Sequence, residues 1–145
     1  MATPIKYDLW QTQALNGSGA IDWDTDTIKV MLVTSAYTPA PATDSFIADA
    51  NANEVSGANY TAGGDIIASV TVTEAAGVTT VDGDDVAWLQ NAGGFTDARY
   101  AIIYKDTGTA GTSPLVSYLD FAADKGNVNG DLSIAWAATG IFTQS

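Results

Sequence analysis

The 145-residue chain has no cysteine and no histidine. Without thiols it forms no disulfide and offers no thiolate to a metal, and cysteine usage cannot indicate its redox compartment. Without imidazole it lacks the usual general base and the commonest transition-metal ligand. Ser-His-Asp and Cys-His catalysis are therefore excluded. Basic residues are scarce: four Lys and one Arg stand against 17 acids, for a formal net charge of −12. A chain of that sign is repelled by phosphate backbones and anionic lipid, so neither nucleic acid nor membrane is an expected direct partner. No run approaches the ~20 apolar residues of a membrane helix. The opening MATPIKYDLW has one Lys and no long apolar stretch, which does not read as a secretory signal. The expectation is a soluble chain that folds where it is made.

Hydrophobic residues are 46% of the chain, which argues against wholesale disorder. A chain of this length is about one domain and typically buries roughly 70% of its unfolded-state surface. Charged residues are only 15%, so Ser, Thr, Asn, Gly and Ala must supply much of the surface. The most informative stretch is ARYAIIYKDTGTAGTSPLVSYLDF, residues 98–121. Its two apolar runs, separated by a Gly/Thr/Ser segment ending in Pro114, predict two antiparallel strands joined by a loop. By the period of two, Ala98, Tyr100, Ile102 and Tyr104 share one face and Ala101 and Ile103 the other. Apolar residues on both faces predict a central strand.

Further strands are expected over 27–34, 65–73, 78–81, 86–89, 131–137 and 140–143, with a first strand or arm over 5–10. The segment YTPAPA (37–42) holds two of the four prolines and predicts an extended loop. TDSFIADANANEV (43–55) is the one expected helix, capped by Thr43 or Ser45, with Phe46, Ile47 and Ala50 inward. Short strands at regular spacing with Gly-rich turns predict an all-β fold, an antiparallel β-sandwich (jelly-roll or Ig-like) of about eight strands with one short accessory helix. Residues 1–20 are expected to form an N-terminal arm or first strand, and residues 21–145 a single β-sandwich domain.

Asp22, Asp24 and Asp26 form a D-x-D-x-D triplet, a weak candidate for a cation because hard cations take several carboxylate oxygens. An EF-hand then requires Gly and Glu where this chain has Thr27 and Val33, so the triplet reads better as a solvated acidic turn, as does the D-G-D-D run 82–85. A carboxylate pair for glycoside hydrolysis is not singled out among so many acids. No Ser lies in G-x-S-x-G, and the glycines match neither G-x-x-x-x-G-K-[ST] nor G-x-G-x-x-G in its required setting. The chain is read as non-enzymatic, with no cofactor. Arg99, the only arginine, is expected in a structural ion pair or as an interface anchor. Trp88 and Trp136 are expected in the core. Trp10 and Trp23 border polar segments and are candidates for a partner surface, together with Tyr7 and Leu9.

DTDTIKVMLVTSAYTP (24–39), EVSGANYTAGGDIIA (54–68), ARYAIIYKDTGTAGTSPLVSYLDF (98–121) and IAWAATGIF (134–142) resemble, in this order, small virion structural proteins of tailed bacteriophages. The likeness is greatest to auxiliary capsid proteins, also called decoration or cement proteins. It implies a protein of the virion's capsid surface, made in the host cytoplasm. The implied partner is the major capsid protein, and the implied assembly is a homo-oligomer, a trimer for preference. It implies no catalytic residue. The alternative is a tail or fibre module binding host carbohydrate, which requires exposed aromatic rings on a loop rim, for example around Trp88 to Asn91.

Overall fold

The all-β expectation holds: the chain is mostly antiparallel sheet with one short helix among the described residues, an arrangement consistent with a sandwich-like fold. The computed structural model describes residues 4–17 and 20–145. In chain order its elements are β1 (Ile5–Lys6), α1 (Asp8–Asn16), β2 (Ile28–Val33), β3 (Asp65–Ile66), β4 (Thr71–Ala75), β5 (Val78–Asp82), β6 (Val86–Trp88), β7 (Ala98–Lys105), β8 (Leu115–Lys125), β9 (Leu132–Ile134) and β10 (Phe142–Gln144). They form three sheets, ordered β1-β8-β7-β2-β3, β10-β5-β4 and β6-β9, and every pairing is antiparallel.

The strand predicted to be central is central, for the reason its two apolar faces suggested. β7 lies in the middle of the five-stranded sheet, between β8 and β2. Ile103 stands opposite Val30 and Ala101 opposite Leu32 on one face, while Ile102 stands opposite Met31 and Tyr100 opposite Val33 on the other. All but Tyr100 are buried, and each aliphatic side chain so removed from water stabilises the fold by about 1.5–3 kcal/mol. Tyr7 and Tyr37 cover the Tyr100 face: the Tyr7 ring lies 5.4 Å from Tyr118, and Tyr37 meets Tyr100 edge-on at 6.2 Å. The core is one cluster that also takes in Trp88, Phe95, Ile134, Trp136 and Ile141.

The backbone of β2 is approached so closely by the turn before β3 that only glycine fits there. At Gly64, with φ +80°, a Cβ would lie 1.8 Å from the Val30 carbonyl oxygen.

Four local expectations are corrected. The expected helix over 43–55 is two 3₁₀ turns, Ile47–Asp49 and Asn51–Asn53. Tertiary pairing competes for its backbone, since the Ile47 amide donates to the Ser113 carbonyl and the Leu115 amide to that of Ser45. Neither Thr43 nor Ser45 caps it; the Asp49 carboxylate instead accepts the Ser45 and Phe46 amides at 2.9 and 3.1 Å. The one α-helix among the described residues is α1, where a first strand or arm was expected over 5–10. DLWQTQALN contains good helix formers, and Gly17 ends it at φ +84°. The alternation of Ile5, Tyr7 and Leu9 hid the i, i+3 pair Tyr7 and Trp10.

The run 65–73 is not one strand. β3 and β4 belong to different sheets, with Ser69 between them at φ +54°. Finally, β8 continues through the expected loop to Lys125. A bulge carries it, with Ala98 opposite Lys125 but Tyr100 opposite Asp120.

Candidate interaction surface

The β4–β5 hairpin is the most exposed regular structure in the chain. Every residue of β4 is exposed. The strands are joined by a two-residue turn, Ala76 at φ +53° and Gly77 at φ +82°, the left-handed pair that matches the twist of a tight hairpin. The Glu74 carboxylate fastens the turn by accepting the Gly77 amide at 2.7 Å. A two-residue turn makes Ala75 and Val78 the hydrogen-bonded pair next to it, and such pairs alternate along the ladder. Thr73 and Thr71 therefore also bond to β5, while the backbone N–H and C=O groups of Val72 and Glu74 point to the open side. β5 is paired with β10 on its other edge, so β4 is the terminal strand of its sheet. Its outward face carries one charge, Asp82, among small and β-branched residues: Thr71, Thr73 and Ala75 lie opposite Asp82, Thr80 and Val78, and Thr143 continues the row beyond Thr80.

Beneath this sheet the N-terminal segment forms an aromatic nest. Trp10 meets Phe142 at 5.4 Å and Trp23 at 6.2 Å, and Trp23 meets Phe142 at 5.2 Å. Two predicted contact residues are thereby removed from the surface. Tyr7 is 0% and Trp10 is 5% exposed, because β1 pairs with β8 and swings both rings onto the chain's own core. Leu9 and Trp23 are half-buried. The exposed apolar groups of this region are ones the sequence reading did not select: Ile5, 51% exposed, and Leu15, 91% exposed, which borders a cleft of about 260 Å³ with Trp10, Ala14 and Gln144.

The acids are mostly structural. The carboxylates of Asp44, Asp106, Asp120, Asp131 and Asp85 accept the backbone amides of Ala40, Gly108, Ala122, Gln90 and Trp136, respectively. The Asp22–Asp26 triplet behaves likewise. Asp26 accepts the Asp22 amide at 2.8 Å and pairs with Lys105 at 2.8 Å, and the Asp24 amide donates to Asp22. Burial pushes Asp26 upward, but Lys105 and the Asp22 amide outweigh it and leave the carboxyl below its ordinary range. Among the described residues no group of three or more acidic side chains is arranged to hold a metal ion. Arg99 makes a two-pronged contact with Asp120, at 2.7 and 3.3 Å, that is partly solvated.

A polar cleft of about 340 Å³ contains Lys29, Glu54, Tyr104 and Asp106. Its groups are committed to one another and to backbone. Lys29 pairs with Asp106 at 2.7 Å, Tyr104 donates to the Gly63 carbonyl, and Glu54 accepts the Tyr60 hydroxyl and the Gly63 amide. The aromatic rim required for carbohydrate binding around Trp88 is not formed there. Trp88 is 1% exposed against Tyr60 and Phe95, and the neighbours that reach solvent, Ala87, Leu89 and Gln90, carry no aromatic ring.

One residue that sequence reasoning passed over organises the loops near that site. Asn127, fully buried, accepts the Phe95 amide at 3.0 Å and donates to the carbonyls of Ala58 and Leu89 at 3.1 and 2.9 Å. Its one signal was its place in the loop GNVNG. No family model, curated protein or solved structure matches this chain. No helix among the described residues is long and apolar enough to cross a membrane.

Proposed function

We propose that this chain is a structural protein of a tailed-phage virion, a capsid decoration protein that binds the major capsid protein on the outer head surface as a homotrimer. The observation that carries the reading is the β4–β5 hairpin, an ordered and exposed platform whose outward face is mostly Thr, Ala and Val, with Asp82 as its one charge. Such a platform loses little hydration on docking, and its strands are ordered before binding, which lowers the entropic cost of association. Exposed Leu15, Val72 and Val78 offer apolar anchors, with Leu9 and Trp23 at the margin. Interfaces of this kind commonly bury on the order of 1,600 Å² and are multiplied by lattice repetition. A non-enzymatic role accords with carboxylates engaged in holding turns and ion pairs. The order of the four sequence blocks that resemble virion proteins supports the same role.

The test is to locate the chain on intact particles by cryo-electron microscopy, with gold-labelled antibody as the second method. Regular density on the head is expected. Density at the tail tip would replace decoration by host recognition, and absence from the particle would refute a virion role altogether.

A further inference from the structure

We propose that the open edge of β4 is a strand-addition site for an extended, cationic segment of a partner protein. Edge strands are ordinarily protected by Lys, Pro, a bulge or a covering element, because their free backbone groups template another strand. Among the described residues β4 has none of these, and its one charged side chain is Glu74. Its sequence, TVTEA, is rich in β-branched residues, its pairing with β5 runs without a bulge, and the outward N–H and C=O groups of Val72 and Glu74 form a two-residue docking ladder.

The charge of the occupant follows from the surroundings. β4 and β5 carry Glu74 and Asp82 and no Lys or Arg, and the basic group that meets this sheet, Lys6, lies over the Phe142 ring of β10, the strand on the other side of β5 from the open edge. Of the five basic residues, Lys29, Arg99 and Lys105 are already paired with Asp106, Asp120 and Asp26. A second copy pairing through its own β4 would bring a second Glu74 and Asp82 to the edge, and neither β4 nor β5 has a Lys or Arg to offset them. A segment with Lys or Arg flanking the position opposite Glu74 would neutralise Glu74 and Asp82 while its alternate side chains pack beside Val72. The inference concerns how the chain binds rather than where its partner resides, so its failure leaves the head-surface reading standing.

The experiment is an NMR titration of the ¹⁵N-labelled full chain with an acetylated nine-residue peptide in which Lys alternates with Val and Thr. Saturable shifts led by the amides of Val72 and Glu74 are expected. Val72→Pro removes one outward N–H and leaves the β4–β5 hydrogen bonds in place, so it should weaken binding at least ten-fold. Glu74→Lys keeps every ladder bond and provides a second variant should the proline disturb folding. It should weaken the same peptide at least ten-fold and favour one with Glu in place of Lys. Shifts scattered over acidic loops without preference for Val72 and Glu74 would overturn the proposal, as would undiminished binding by Glu74→Lys. A wild-type dimer abolished by Val72→Pro would assign the edge to a second copy and overturn it equally.

Discussion

Replacing Tyr37 by Phe removes the middle of a buried relay. The Tyr37 hydroxyl donates to the Asp44 carboxylate at 2.7 Å, so the Tyr7 hydroxyl, 2.8 Å away, must donate to Tyr37. Both rings are buried. Tyr37→Phe deletes a hydrogen bond to a charged group, about 1.5–3 kcal/mol, and strands the Tyr7 hydroxyl without a partner, about 1–3 kcal/mol more. Tyr7→Phe leaves Tyr37 bonded to Asp44 and should cost only about 1 kcal/mol. The double variant has no stranded hydroxyl, so adding Tyr7→Phe to Tyr37→Phe should restore about 1–2 kcal/mol rather than remove more. Urea unfolding of the four proteins measures this cycle. In a thermal scan each kcal/mol corresponds to roughly 2–4 °C of Tm at this chain length. Additive costs, or a Tyr37→Phe no worse than Tyr7→Phe, would refute the relay and with it the docking of the N-terminal segment on its own chain.

Burial raises the Tyr7, Tyr37, Tyr60 and Tyr104 phenols above their ordinary value of 10.0. The unfolded chain releases these protons near pH 10 and the folded chain holds them. Stability is therefore full below pH 10 and falls above it, by about 1.4 kcal/mol per pH unit for each tyrosine. Phenolate absorbance and loss of circular dichroism should rise together in one alkaline transition, and smooth tyrosine titration from pH 10 without unfolding would contradict the burial. Asn127→Ala removes three side-chain hydrogen bonds in a fully buried site and should cost about 3 kcal/mol or more, with faster amide exchange at Phe95. A loss below about 1 kcal/mol would show that the loops hold without it.

The strands were legible because side-chain alternation is a local property. β2, β5, β6, β7 and β9 lie where apolar runs and turn residues placed them, and the two apolar faces of β7 were enough to put it at the centre of a sheet. The acidic turn at Asp22–Asp26 and the burial of Trp136 were legible for the same reason. Composition alone also removed thiol and imidazole chemistry.

Tertiary structure decided what short segments could not. The stretch 45–47 gave up its helix because residues 113–115 offered its backbone other partners. Residues 8–16 became the helix because β1 ended after two residues and Tyr7 and Trp10 found apolar cover three positions apart. That change took two of the three aromatic side chains expected at a partner surface, Tyr7 and Trp10, into the core. The exposed edge of β4 was equally invisible, since a strand's sequence sets which side chains share a face but not whether another strand lies alongside. Local pattern is written in neighbouring residues, whereas burial and edge exposure depend on which distant segments arrive, and only the folded chain specifies those.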